Sequence, residues 1–234
     1  MVSRCAGSLT ALALMAGAAA ADCRLALVLA LDVSASVDSS DYALQRDGLA
    51  QALNHPTIRA AILDGAPGDV VLHVFEWSGR YQQTTVVDWT VLDTPAAMDE
   101  IVARIGGWKR SYKEFPTALG YALGHAAGVL ETGPRCARQV VDVSGDGINN
   151  EGFMPVSAYM HFPFDGVTVN GLVVQGKQAE VVDFYRREVL RGPGAFLETA
   201  DGFEDFESAM IRKLFREING MVVGSSGGAA WSPG

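Results

Sequence analysis

The stretch Leu25-Ala26-Leu27-Val28-Leu29-Ala30-Leu31 is a continuous apolar run that leads directly into Asp32-Val33-Ser34-Ala35-Ser36. A run of this kind predicts a strand that is buried on both faces, as in a parallel sheet covered by helices. Asp32, Ser34 and Ser36 follow at alternate positions beyond the end of that strand, which lets their side-chain oxygens converge on one side. The stretch therefore predicts both a class of fold and a candidate ligand site.

The rest of the chain alternates strand-like and helix-like segments. Further strands are predicted at 69–77, 82–89, 138–144, 167–174 and 195–198. Helices are predicted at 41–53, 95–105, 117–130, 154–160, 178–190 and 203–218. We expect Ser39 or Ser40 to cap the first helix, and Thr94 to cap the second with Pro95 at its first position.

This alternation predicts an α/β fold with a doubly wound, mostly parallel six-stranded sheet and helices on both faces. A Ser78-Gly79 turn joins two of the segments into a hairpin, so one antiparallel edge strand is expected. Ligands of such sheets bind beyond the carboxyl ends of the strands, where the strand order reverses. Asp32 and Asp146 both lie at such ends.

Three separate segments carry small oxygen-bearing side chains. Asp32, Ser34 and Ser36 form the first, Thr117 opens a helical pattern, and Asp146-Gly147 follows the strand that contains Val140 to Val143. Two carboxylates and three hydroxyls form a hard oxygen site, which suits Mg²⁺, Mn²⁺ or Ca²⁺ and suits zinc or copper poorly.

These segments, in this order, resemble the metal-ion-dependent adhesion site (MIDAS) of von Willebrand factor type A (VWA) domains, and the order of elements agrees over roughly residues 23–218. The chain looks closest to an exported bacterial branch of that family with uncharacterised function. The resemblance implies a VWA (Rossmann-like) fold and a binding domain, not an enzyme. Its partner would be a protein that presents an Asp or Glu carboxylate to the ion.

The resemblance also implies a role for each site residue. Ser34, Ser36 and Thr117 would bind the metal directly, whereas Asp32 and Asp146 would act largely through water. Mg²⁺ or Mn²⁺ is expected ahead of Ca²⁺. One departure stands out, because Gly145 precedes Asp146 where the family usually has Thr or Ser.

Two other interpretations of the same residues stay open. A metal-dependent hydrolase would use the ion to activate water, and Asp142 or Glu151 would have to serve as its general base. Alternatively, the metal only holds the loops together. Asp142 lies inside an apolar strand, and either supports the site from behind or is a structural, hydrogen-bonded carboxylate.

The segment before Thr117 contains Trp108, Lys109, Arg110 and Tyr112. These side chains either form the rim of the metal face and contact a partner, or belong to an ordinary loop with a Trp anchored in the core. None of the four histidines has a zinc-type spacing, and no predicted strand leads into a nucleophile elbow or a Walker loop.

The first 21 residues have the pattern of a secretory signal peptide, with Arg4, an apolar core from Leu9 to Ala20, and small residues for cleavage. A membrane anchor is the alternative, but the apolar stretch is short for a span. We therefore expect an exported protein, periplasmic or secreted, with no membrane span in the mature chain. The domain would cover 22–219, and 220–234 would form a flexible tail rich in Gly, Ser and Ala.

Two cysteines remain after the signal segment is removed, Cys23 and Cys136. Each lies just before a predicted strand, and neighbouring parallel strands would place them at the same end, about 5 Å apart. A disulfide is therefore expected in an oxidising compartment, with two free thiols as the alternative.

The net charge of the chain is −9, and the sequence contains no basic run. This charge distribution argues against nucleic acid as a partner.

Overall fold

A computed structural model describes residues 23–176 and 179–220 of the chain. The predicted signal segment 1–21 lies outside the described residues. So does the predicted tail after Gly220.

The centre of the molecule is a six-stranded sheet with the order β3-β2-β1-β4-β5-β6. Its strands are β1 Cys23–Asp32, β2 Asp69–Trp77, β3 Gln83–Val91, β4 Arg138–Gly145, β5 Thr168–Val174 and β6 Leu197–Ala200. Only β3, at one edge, is antiparallel to its neighbour, and the other pairs are parallel. The predicted doubly wound sheet with one antiparallel edge strand is confirmed.

Helices cover both faces of this sheet. The first face carries α1 Ser39–Asn54, α2 Pro56–Leu63, α3 Pro95–Gly106 and α7 Phe206–Asn219. The second face carries α4 Leu119–Thr132, α5 Pro155–His161 and α6 Val181–Phe184, which continues as a π-helical turn, Tyr185–Val189. Successive β1 side chains enter the two cores alternately, with Leu27 and Leu29 in the first and Val28 in the second.

Several local predictions were wrong, each for an identifiable reason. Asp38, not Ser39 or Ser40, caps α1, because its carboxylate accepts the N–H groups of Ser40 at 2.7 Å and Asp41 at 2.9 Å. Helix α2 was not predicted, although Pro56 occupies its first turn and the ring of His55 caps it.

Other boundaries shifted by a few residues. Helix α4 begins at Leu119, so Thr117 lies just ahead of it and not within it. Strand β6 lies two residues later than predicted, and the last helix begins as a short 3₁₀ turn, Phe203–Asp205. The cap of α3 by Thr94, with Pro95 in its first turn, is confirmed.

The disulfide between Cys23 and Cys136 is present, with a Cα–Cα distance of 4.7 Å. It closes the amino ends of the neighbouring strands β1 and β4, where the N–H of Ala137 also donates to the Cys23 carbonyl at 3.0 Å. The predicted pairing is therefore confirmed.

Across residues 23–176 and 179–220, no helix has both the length and the apolar character required to cross a membrane.

Candidate metal centre

The candidate site lies at the carboxyl ends of β1 and β4, the two central strands of the sheet. The chain leaves β1 toward β2 on one side, and later returns as β4 on the other side. The strand order reverses between them, so their carboxyl ends flank the crevice in which ligands bind in open sheets of this kind. Leu31 pairs with Ser144, which brings Asp32 alongside the Gly145-Asp146 segment.

The loop after β1 folds back on the carboxylate of Asp32. The Oδ1 atom of Asp32 accepts the backbone N–H of Ser34 at 2.7 Å, and the Asp32 carbonyl accepts Gln45 Nε2 of α1 at 3.0 Å. This turn places the Oγ atoms of Ser34 and Ser36 3.1 Å apart. The alternate spacing seen in the sequence therefore does bring these oxygens together.

The other two predicted residues join the same group of oxygens. Ser36 Oγ donates to Asp146 Oδ1 at 2.5 Å, and Thr117 Oγ1 donates to Ser34 Oγ at 3.2 Å. Thr117, Asp146 and Ser34 are almost fully buried. The structure thus brings all five predicted residues into one connected set of side-chain oxygens.

Burial and charge raise the pKa of Asp32 to about 7. Desolvation is the larger cause, since the side chain is wholly buried, and the nearby Asp146 carboxylate is the second. The hydrogen bonds from Ser34 and the charge of Arg110 act in the opposite direction. Within the described residues, Asp32 Oδ2 has no hydrogen-bond partner. A cation between these carboxylates would remove their repulsion.

Arg110 holds the first loop in place from the segment before Thr117. Its Nη2 atom donates to the carbonyls of Val33 at 2.9 Å and Ser34 at 3.0 Å, and its guanidinium lies over the ring of Tyr42. This arrangement assigns Arg110 to loop support. Trp108 is partly buried and packs against the first core, as in the ordinary-loop interpretation.

Glu76 is a buried residue near the site that the sequence analysis missed. One of its oxygens accepts the hydroxyl of Tyr42 at 2.7 Å, and the other accepts the N–H of Ser111 at 2.8 Å. It therefore ties α1 to the segment that leads into Thr117. The signal was a single acidic residue near the end of a buried strand, which the apolar pattern of β2 obscured.

Asn149 and Asn150 fix the position of Thr117 and were also missed. Asn150 Oδ1 accepts the N–H of Thr117 at 2.8 Å, and the N–H of Asn150 donates back to the Thr117 carbonyl at 2.9 Å. Asn149 Oδ1 accepts the N–H of Gly120 at 3.2 Å. An Asn pair two residues after Asp146-Gly147 was the available sequence signal.

The departure at Gly145 has a steric cause. A Cβ atom on Gly145 would lie 2.6 Å from Tyr185 Oη and 2.9 Å from Asp32 Oδ2. Both contacts are shorter than real Cβ atoms make. A Thr or Ser at this position, as in the usual family pattern, therefore does not fit beside Tyr185.

Asp142 forms a buried ion pair with a side chain of α7. Its Oδ1 lies 2.9 Å from Lys213 Nζ, which also contacts Glu217 Oε1 at 2.5 Å, and Asn170 donates to the same Glu217 oxygen at 2.8 Å. Burial raises the pKa of Asp142 to about 7 although Lys213 opposes the shift. Of the two interpretations left open, the structural one is correct.

Glu151, the other residue considered as a general base, and His125, one of the four histidines, both have partners of their own. Glu151 pairs with Arg80 at 3.3 Å, and the ring of His125 packs edge-on against Phe75, with centroids 4.7 Å apart.

The residues present fit a hard divalent cation. The donors are two carboxylates and three hydroxyls. One of the carboxylate oxygens, Asp32 Oδ2, is buried and has no hydrogen-bond partner among the described residues. Among the residues that the structure describes, no three His, Cys, Asp or Glu side chains cluster in a way that could hold a metal. Any cation here would therefore depend on the Ser and Thr hydroxyls, which favours Mg²⁺ or Mn²⁺ over softer metals.

Comparison with known proteins identifies the family. The sequence profile described as "Protein of unknown function (DUF1194)" matches residues 22–222, and the chain belongs to that family. A search of curated proteins found no match.

Solved structures show the same fold at low sequence identity. Proximal thread matrix protein 1 from the mussel byssus, with a zinc-occupied MIDAS motif, aligns with a TM-score of 0.60 and 16% identity, covering 85% of this chain and 49% of that one. A von Willebrand factor type A protein from Catenulispora acidiphila gives 0.61 and 14%, covering 84% and 43%. The pilus adhesin SpaC from Lactobacillus rhamnosus GG gives 0.58 and 12%, covering 84% and 31%.

These matches establish the VWA fold. The chain spans less than half the length of each of these three proteins.

Proposed function

We propose that this member of the DUF1194 family is an exported binding domain that holds one Mg²⁺ or Mn²⁺ and uses it to capture a protein partner. The metal ligands would be Asp32, Ser34, Ser36, Thr117 and Asp146. The main support for this proposal is that side chains from three distant segments form one connected set of oxygens where the strand order of the sheet reverses.

The chemistry of the ligand set supports capture of a carboxylate. Ser34, Ser36 and Thr117 are neutral donors, so direct contact with them leaves most of the positive charge of a bound ion uncompensated. Asp32 and Asp146 would act through water, since Mg²⁺ gives up its water ligands reluctantly. When bound, the ion would supply an electrophilic position for an Asp or Glu oxygen of the partner, at a partly desolvated face where charge interactions are strong.

The relatives of the fold support the same proposal. SpaC is a pilus adhesin, and the mussel protein has zinc in its MIDAS motif, which supports a divalent ion at this place in the fold. The choice of Mg²⁺ or Mn²⁺ rests on the hard oxygen donors of this chain. The Cys23–Cys136 disulfide supports export to an oxidising compartment.

Binding is favoured over hydrolysis because the two residues considered as a general base have other partners. The hydrolase interpretation required Asp142 or Glu151 at the metal. Asp142 pairs with Lys213 among the α7 side chains, and Glu151 pairs with Arg80.

A capture experiment tests the proposal. Immobilised protein is exposed, in Mg²⁺ or Mn²⁺, to exported proteins of the source cell, and retained proteins are eluted with EDTA. We expect elution of a discrete partner that the Thr117→Ala protein fails to retain, because that variant loses one metal ligand but no core packing. Partner retention that is insensitive to EDTA would contradict the proposal.

A substrate screen separates binding from hydrolysis. Phosphoester, ester and peptide substrates are incubated with the protein in Mg²⁺ and in Mn²⁺, with Asp146→Ala as the matched control. We expect no turnover. Metal-dependent turnover that is lost in Asp146→Ala would instead assign the site to a hydrolase.

A further inference from the structure

We infer that Tyr185 is a positioning residue of the candidate metal site, and that its hydroxyl holds the carboxylate of Asp32 through the space that Gly145 leaves open. The inference rests on the proposed function, because it assigns a role toward the same ion. It concerns a residue that lies far from the three site segments in the sequence.

The two polar atoms converge on one point. Tyr185 Oη lies 2.6 Å and Asp32 Oδ2 lies 2.9 Å from the position that a Cβ of Gly145 would occupy. Both side chains are completely buried. Neither atom has a hydrogen-bond partner in the described part of the chain.

Buried polar atoms without partners are costly, and these two have complementary chemistry. A phenol can donate one hydrogen bond, and an ionised carboxylate only accepts. A hydrogen bond from the Tyr185 hydroxyl to the Asp32 carboxylate, direct or through one buried water, would give both atoms a partner.

The fold is locally shaped to deliver this hydroxyl. Tyr185 begins the π-helical turn, in which the N–H of Leu190 donates to the Tyr185 carbonyl at 3.1 Å, and such turns often mark functional sites. The ring then crosses β5 at Gly171, where a Cβ would lie only 2.7 Å from Tyr185 Cδ1. Glycines in two adjacent strands, Gly171 and Gly145, thus leave a path for one tyrosine.

This contact would fix both oxygens of Asp32. Oδ1 is already held by the N–H of Ser34, and Oδ2 would be held by Tyr185. A carboxylate that holds a metal through water must be correctly oriented to do so. In metal sites of other proteins, hydrogen-bond donors behind such groups fix that orientation. Tyr185 would therefore increase metal affinity without touching the ion.

The test compares two tyrosines in the same helical layer. Tyr185→Phe removes the hydroxyl near Asp32, whereas Tyr159→Phe removes a partly buried hydroxyl that donates to the carbonyl of Val189, at the far end of the same π-helical turn. Binding of Mn²⁺ is measured by electron paramagnetic resonance, and folding by thermal unfolding. We expect Tyr185→Phe to weaken Mn²⁺ binding roughly 10- to 100-fold, the usual effect of losing such a partner, and Tyr159→Phe to leave it unchanged.

A spectroscopic measurement on the metal-free protein distinguishes a contact with Asp32 from a purely structural role of Tyr185. The Asp32 carboxyl ¹³C resonance is assigned by its loss in Asp32→Asn. We expect it to shift in Tyr185→Phe and in wild-type protein grown with 3-fluorotyrosine, whose more acidic phenol is a stronger donor. The fluorinated protein keeps the test valid if Tyr185→Phe does not fold.

The outcomes distinguish the two proposals. If the wild type does not bind Mn²⁺, the proposed function and this inference both fail. If the wild type binds Mn²⁺ but folded Tyr185→Phe binds it equally well, only the inference is overturned. An Asp32 resonance that is unchanged by fluorination overturns it as well.

Discussion

Asp32→Asn should stabilise the metal-free protein at neutral pH while abolishing its metal binding. Asparagine has nearly the same shape and keeps an oxygen to accept the N–H of Ser34, but it carries no charge. In the wild type, the buried Asp32 faces Asp146, and its pKa is raised from 3.8 to about 7. The substitution therefore removes the charged form that the folded metal-free site disfavours.

The sign follows from the protons that each state binds. Between pH 3.8 and about 7, folded Asp32 keeps its proton and unfolded Asp32 has lost it. The folded state binds more protons there, so the free energy of unfolding falls as pH rises through that window. At 1.36 kcal/mol per pH unit, the whole interval corresponds to about 4 kcal/mol.

Urea unfolding in EDTA at pH values from about 4 to 8 measures this effect. We expect the wild type and Asp32→Asn to have similar stability at the acid end, and the variant to be more stable at the alkaline end by up to about 4 kcal/mol. Asp142, whose pKa is also raised to about 7, titrates in both proteins and cancels in the difference. Parallel stability curves for the two proteins would refute the reasoning.

Two further predictions concern the framework around the site. Replacing both cysteines in Cys23→Ser/Cys136→Ser should lower the free energy of unfolding by about 4.8 kcal/mol, the chain-entropy value for cysteines 113 residues apart, and a loss below about 1 kcal/mol in urea unfolding would contradict it. Lys213→Met should cost about 3–5 kcal/mol, because it leaves Asp142 and Glu217 buried without their cation. Adding Asp142→Asn to Lys213→Met should recover part of that stability, and thermal unfolding that shows no recovery would argue against the pairing.

The sheet, and the meeting of the five candidate residues at one edge of it, were predictable because their signals are local. The apolar run that forms β1 is long enough to indicate a strand covered on both faces, and Asp32 marks its end. Thr117 and Asp146 carried the same kind of signal on two other elements. The disulfide followed from the sheet order, since Cys23 begins β1 and Cys136 lies just before β4, and the two strands are neighbours.

The supporting contacts were not predictable because they join positions that only tertiary packing brings together. Tyr185 reaches Gly145 across β5, and Lys213 of α7 neutralises Asp142 within β4. The spacing of apolar and polar residues along the sequence does not indicate such pairs. The glycine at 145 was visible as a departure from the family pattern, but its cause needed the position of the Tyr185 ring.

Binding of Mn²⁺ to metal-stripped protein shows directly whether these oxygens form a metal site. Isothermal titration of the wild type, Ser36→Ala and Asp146→Ala, with thermal unfolding to verify that each is folded, gives the stoichiometry and the affinity. We expect one Mn²⁺ per wild-type chain and a loss of affinity of about tenfold or more in each folded variant, because each change removes one oxygen donor. The absence of saturable binding to the wild type, or equal affinity in all three proteins, would contradict it.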